Sequence, residues 1–341
     1  ALAVLTAILA LFVFTPDFRL ALSTTLIGVI ICLSVVVVTG YVGQISLAQM
    51  AFAGISAFIV SKLTSEHNVP FPIPIFIGAA VATIAGLIVA VPALRVRGVN
   101  LAIVTLAFAV AVDKAVFANQ AFNGGMFGAK VTTPELFTES RSVRYRILGL
   151  LAGDGKQPNP MTAVFVLVVV VILCYLVANL RRSATGRKLL ATRSNERAAA
   201  AAGINVSGMK MLAFGTSSFI AGVGGAVFAY RTGAVAADRF DYLDSLTFFA
   251  FAYLGGIACV SGAIGGGVLV SGGLFFTFLQ KVLHVPDEFT LILGGLGLIV
   301  AAVRNPEGIA GAAGELANVF RRRRTHTAPG APTATADGAV A

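Results

Sequence analysis

The sequence predicts an all-α protein that crosses a membrane many times. Three observations carry this reading. The chain is 57% hydrophobic with a mean hydropathy of +0.90, and only 12% of its residues are charged. A water-soluble domain of that composition has too few polar groups to cover its surface. Several apolar runs approach or exceed the ~20 residues that a bilayer-spanning helix requires. Lys and Arg, which give a net charge of +10, sit in the segments between runs rather than on one soluble basic face. That pattern is a topology signal and leaves no surface for nucleic acid.

Ten apolar segments are expected, at about 1–14, 20–39, 45–61, 71–93, 98–118, 160–180, 211–230, 245–261, 262–281 and 290–304. The first has neither an initiator Met nor a cleavable-signal pattern, and reads as a span that can be clipped at its start. The pairs meeting at 39–45 and 261–262 have almost no loop, so each is expected to be a broken helix or a re-entrant turn. With the N-terminus inside, the inner segments hold 14 Lys and Arg against 10 outside, five of those in the long stretch 119–159. Long loops weigh little in this rule, so an N-in, C-in topology follows. Asp238, Asp241, Asp244, Asp287 and Glu288 all fall outside. Residues 1–320 are expected to form one membrane domain, with 119–159 an outer loop and 181–210 a cytoplasmic loop. Residues 321–341 begin with Arg321 to Arg324 and continue as an Ala/Thr/Pro-rich tail expected to be disordered.

The stretch TGYVGQISLAQMAFAG, residues 39–54, interrupts an otherwise continuous apolar run. In hydrocarbon every backbone N–H and C=O must be paired, so a glycine-rich break is tolerated only inside protein or along a wet path. A second break, LGGIACVSGAIGGG at 254–267, lies in the other half of the chain. Paired interruptions are a pointer to a transport path. Close packing through small residues is the competing explanation, and stays open for the second break. For the first break the polar set Gln44, Ser46 and Gln49 favours path lining. Thr105 and Phe108, on the next helix started by a glycine, are further candidates.

The spans are almost free of ionisable groups, which argues against a proton-coupled carrier. Asp113 and Lys114 are expected to snorkel or to pair near a helix end. The glycine clusters 222–225 and 262–267 read as packing, because no phosphate-binding loop pattern is present. Cys32, Cys174 and Cys259 lie in apolar runs as small hydrophobes. His67, His284 and His326 lie in loops or the tail, and no catalytic or metal-binding spacing is found, so no enzymatic activity and no cofactor are expected on this chain.

The inner segment RRSATGRKLLATRSNERAAAAAGINVSGMK, 181–210, is long and basic. Ser194 or Asn195 can cap a helix there, Glu196 suits its positive N-terminal end, the alanines propagate it, and Gly203 can end it in a left-handed cap. The product is a short smooth helix of about two turns. It suits a groove in a partner protein; a basic loop resting on anionic lipid is the alternative.

GYVGQISLAQMAFAGISAF, LRVRGVNLAIVTLAFA at 94–109 and GRKLLATRSNERAAAAAGINVSGMKMLAF at 186–214 resemble the inner-membrane permease subunits of branched-chain amino acid ABC importers. AGVGGAVFAY, the LGG at 254–256 and LGLIVAAVRNPEGIAG at 296–311 agree, so the similarity covers roughly 20–311. The resemblance implies an ABC importer permease fold in the cell membrane, with a second permease subunit, two cytoplasmic ATPases that carry ATP and Mg, and an extracytoplasmic solute-binding protein. It places the ATPase-contacting loop at 187–208, with the docking helix at Asn195 to Ala202. Asn195, Glu196, Arg197, Ala199, Ala200 and Gly203 are its candidate coupling residues. The family commonly has Gly-His after Ser-Leu in the first break, where this chain has Ala48-Gln49; Gln49 keeps hydrogen-bonding capacity without a titratable ring. Permeases for urea and short amides look much alike, and a stand-alone carrier or channel is the rival from another class.

Overall fold

A computed structural model describes residues 16–96, 98–119, 128–132 and 160–282, together with 295, 299 and 303. The expected span at 1–14, most of the outer loop 119–159, the bulk of the run at 290–304 and the tail lie outside the described residues.

The described chain is helical almost throughout. Helix α1 (Pro16–Val35) carries Asp17 in its first turn, where a carboxylate meets the positive end of the helix dipole. It closes in a π turn, Val36–Gly40. Helix α2 (Gln49–Ser65) follows an unwound segment, and α3 (Ile73–Ala93) and α4 (Val99–Val112) come next. A second π turn, Asp113–Phe117, extends α4. Helix α5 (Pro160–Arg182) runs into α6 (Ala184–Ser194), the short α7 (Glu196–Ala201) and the long α8 (Val206–Thr232). Helices α9 (Tyr242–Gly256), α10 (Val260–Val268) and α11 (Leu274–Lys281) complete the described chain. Two residue pairs, Ala129 with Val235 and Lys130 with Ala234, form a minimal antiparallel ladder between β1 (Ala129–Lys130) and β2 (Ala234–Val235).

Five helical stretches among the described residues are long and apolar enough to cross a membrane: Asp17–Gly40, Ile73–Ala93, Asn100–Phe117, Thr162–Arg182 and Val206–Thr232. The remaining described runs depart from the expected spans. The run at 45–61 forms the 17-residue α2, ~26 Å at 1.5 Å per residue. The run at 245–261 gives the 15-residue α9, and the run at 262–281 breaks between Leu269 and Gly273 into α10 and α11, of nine and eight residues. Neither of those two pieces reaches across ~30 Å of hydrocarbon. The run at 262–281 is therefore interrupted rather than one continuous helix. Gly272 takes a left-handed backbone (φ +71°), and Gly273 packs against the Val270 carbonyl, which ends the helical path.

Helix α1 is the centre of the bundle: Ile30, Cys32, Leu33, Val35, Val36 and Val37 are fully or almost fully buried. It packs on α8, α10, α5 and α9, while α8 packs on α3 and α2. Lipid tails are as apolar as leucine, so helices in a bilayer associate through close packing rather than water exclusion. The glycines of α8 supply that closeness. A Cβ at Gly224 would lie 2.9 Å from Ile31 Cδ1, one at Gly222 would lie 2.8 Å from the Ala82 Cβ, and one at Gly225 would collide with the Ala53 carbonyl. The 222–225 cluster is thus packing, as the sequence predicts. Gly225→Val is expected to destabilise the bundle by ~1–3 kcal/mol or more, because the obstacle is backbone and cannot rotate away. Thermal unfolding of the detergent-solubilised protein reads this directly; an unaltered melting temperature would contradict the packing.

Large apolar side chains face outward along α3 (Phe76, Ile84, Ile88, Val91) and α5 (Val168, Ile172, Tyr175, Leu176). That is the surface a lipid-facing helix presents, whereas a soluble protein rarely exposes so long an apolar stripe. Asp113 and Lys114 do pair, at 2.9 Å, with the lysine mostly exposed.

Candidate functional site

The first break is an unwound segment, Gly43–Ala48, between α1 and α2. Gly43 adopts φ +75°, a conformation that costs a residue with a Cβ, and this turns the chain out of the helix. Its N–H donates to the Thr39 carbonyl at 3.0 Å, and the Gln44 N–H donates to Val38 at 3.2 Å. The start of α2 has no side-chain cap of its own. Two buried hydroxyls from other helices take that role: Thr105 Oγ1 of α4 accepts the Leu47 N–H at 2.9 Å, and Ser245 Oγ of α9 accepts the Met50 N–H at 3.1 Å. The unwound backbone is thereby pinned from two sides, as irregular structure inside a membrane requires.

Gln44, Ser46 and Gln49 are all buried, the last two completely. Gln44 Oε1, Ser46 Oγ and both amide atoms of Gln49 have no hydrogen-bond partner among the described residues. Ser56 Oγ, also fully buried, is in the same state. A buried polar atom left unpaired costs about 1–3 kcal/mol. Four such side chains within thirteen positions, with the buried Tyr41 hydroxyl just before them in the same state, mark a local excess of hydrogen-bonding capacity that native cores do not tolerate idly. Ser56 follows Gln49 by seven residues and shares its helix face. That i+7 spacing is the signal in the sequence that points to Ser56.

Thr105 and Phe108 have other employment. The Thr105 hydroxyl donates to the Ala102 carbonyl at 3.0 Å while accepting from Leu47, and the Phe108 ring packs 5.7 Å from Phe52. Thr105 braces the unwound segment, and Phe108 lines the packing beside it.

The second break is a tight turn between α9 and α10. A Cβ at Gly255 or Gly262 would collide with facing glycine backbone, and Gly267 sits against Val29 of α1. Close packing accounts for these glycines. The two breaks meet: Gly40, at the end of the π turn, lies directly on the Ile257 carbonyl.

The basic segment 181–210 folds largely as a helical hairpin. Ser183 caps α6 by accepting the Gly186 N–H at 3.1 Å. Asn195, not Ser194, caps α7, accepting from Arg197 and Ala198 at 3.0 and 3.1 Å. Gly203 follows in the left-handed conformation, φ +80°, and the Ile204 N–H closes on the Ala199 carbonyl at 3.0 Å. The short helix expected at Asn195 to Ala202 is present with those caps. Arg197, Ala198, Ala200 and Ala201 are exposed, whereas Ala199 is buried against the protein.

This hairpin rests on the unwound segment. Arg193 Nη1 donates to the Gly40 carbonyl, and its stem lies against Gly43. Gln44 Nε2 faces Glu196 Oε1 at 3.5 Å, and Lys210 Nζ is 2.8 Å from the same oxygen. The Arg181 guanidinium stands 6.0 Å from the centroid of the Tyr41 ring.

A family model described as branched-chain amino acid transport system / permease component matches residues 18–302. The high-affinity branched-chain amino acid transport system permease protein LivM of Salmonella typhimurium is 29% identical over 295 residues, covering 84% of this chain and 68% of the relative. LivM of Escherichia coli matches to the same extent. The fructose import permease protein FrcC of Rhizobium meliloti is 25% identical over 269 residues, 75% of this chain and 69% of the relative. No solved structure matches significantly. The match runs from the third residue of α1 through α11 and takes in both breaks: the chain belongs to the family of branched-chain amino acid transport permease components, multi-pass proteins of the cell membrane.

Proposed function

We propose that this chain is the permease subunit of an ABC importer for branched-chain amino acids, forming part of the translocation path and driven by separate ATPase subunits. The observation that carries the reading is the set of buried polar atoms without a partner among the described residues, on Gln44 (Oε1) and Ser46 of the pinned, unwound segment that a basic hairpin grips and on Gln49 and Ser56 of the helix that follows it. A zwitterion with a greasy side chain suits such a route: a few amide and hydroxyl groups for its charged end, apolar walls for the rest.

In this reading the N- and C-termini are cytoplasmic and α7 seats in a groove of an ATPase through Arg197, Ala198, Ala200 and Ala201. ATP and Mg belong to the ATPase pair, whose closure on ATP moves α7. A second permease subunit completes the path, and an extracytoplasmic binding protein delivers the ligand. Thr105 and Ser245 hold the unwound segment in register, and Phe108 shapes its flank. Each ligand shifts the equilibrium between inward- and outward-open forms only by its differential affinity for them.

Competition tests the substrate assignment. Uptake of labelled leucine by the assembled complex in proteoliposomes is expected to be suppressed by unlabelled isoleucine and valine. Suppression instead by urea, acetamide or fructose, with the branched-chain acids inert, would move the substrate class elsewhere in the family.

A further inference from the structure

The hairpin and the unwound segment share one buried charge. Lys210, the fifth residue of α8, is 2% exposed. Its ammonium lies 2.8 Å from Glu196 Oε1, the first residue of α7, and Gln44 Nε2 faces that same oxygen at 3.5 Å. Arg193, two residues before the α7 cap, holds the carbonyl of Gly40, and Gly40 lies on the Ile257 carbonyl of the second break. Three elements therefore converge on Glu196: the docking helix it belongs to, α8 through Lys210, and the unwound segment through Gln44.

We infer that the Lys210–Glu196 pair, with Gln44, is the joint that carries displacement of α7 into the unwound segment. The proposal rests on the permease reading and adds its mechanical element. A six-residue helix has little rigidity of its own and follows whatever holds its ends. An exposed ion pair would slip, because water replaces either partner at little cost. A pair whose lysine is buried does not slip, since separation strands an ammonium in a dry site. Motion of Glu196 therefore draws Lys210 and Gln44 with it. Glu196 and Lys210 act here as positioning residues.

The test is the number of leucine molecules transported per ATP hydrolysed by the complete complex in proteoliposomes. Glu196→Gln and Lys210→Met are each expected to lower this ratio by about five-fold or more, a coupling loss at the low end of the usual range. The exchanged pair, Glu196→Lys with Lys210→Glu, is expected to recover most of it. Because a single variant can fail to assemble, the doubly neutral Glu196→Gln/Lys210→Met protein is measured as well. It strands no charge, so it is expected to assemble and still to show the low ratio. A normal ratio in the doubly neutral protein overturns the joint. So does a ratio lowered by Glu196→Gln but untouched by Lys210→Met, which would place Glu196 against the ATPase instead. Absence of ATP-driven uptake by the unaltered complex would count against the permease reading itself, and so is separable from failure of the joint.

Discussion

Gln49→Leu is expected to cut leucine uptake by the assembled complex by at least about ten-fold while leaving the bundle as stable as before or more so. The two halves of that expectation come from one observation. Gln49 is completely buried at the start of α2, and neither of its amide atoms has a partner among the described residues. Leucine fills nearly the same volume and removes the two orphaned atoms, which relieves a desolvation penalty of about 1–3 kcal/mol per unpaired group. If those atoms exist to meet a passing ligand, the same change withdraws a contact of similar size from the path, and about 1.4 kcal/mol is a factor of ten. A residue that only packs would show the gain in melting temperature with normal uptake. Measuring both quantities on one preparation separates the two roles. Ser46→Ala is expected to act in the same direction more weakly, since a hydroxyl offers fewer contacts than an amide.

The second large effect is expected at α7. Ala200→Asp combined with Ala201→Asp should reduce co-purification of the ATPase by at least about ten-fold while membrane insertion of the permease is normal. Both positions are exposed, and their side chains take no part in the caps: Asn195 caps through its own Oδ1, and the Gly203 N–H bonds the Ala200 backbone carbonyl. Seating such a helix in a partner's groove would bury two unpaired carboxylates, a loss of several kcal/mol. Ala199 is not a clean probe of docking. It is only 4% exposed within the chain itself, so aspartate there disrupts the hairpin before any partner is met. Full recovery of the ATPase with the Ala200 and Ala201 variant would remove the docking helix from the account.

Much of this arrangement was legible in the sequence because it depends on local rules. Asn195, Glu196 and Gly203 announce a capped helix through positions a few residues apart, and the helix lies where they place it. The break at 39–48 declared itself because Gly40 and Gly43 with Gln44 and Ser46 are foreign to a hydrocarbon-facing run. The 222–225 glycines likewise indicated packing. What escaped was long-range or conformational. Hydropathy reports a residue's aversion to water, not how far its helix extends, so 262–281 read as one span although its backbone turns at Gly272 and Gly273. Residue type and place in the chain point to path candidates but cannot distinguish an idle hydroxyl from an engaged one. Thr105 braces Leu47 and Ser245 does the same for Met50, and nothing in the local pattern around either residue marks that engagement. The contact between Gln44 and Glu196 joins positions 152 apart, and no periodicity encodes it.

The central claim is that this chain supplies a route whose movement is imposed from another subunit. It is tested most directly by leucine accumulation against a gradient in proteoliposomes, with and without the ATPase pair, at saturating ATP. Accumulation is expected only when the ATPases are present and hydrolysing. Accumulation by the permease chain alone, at any ion or proton gradient, would contradict the account.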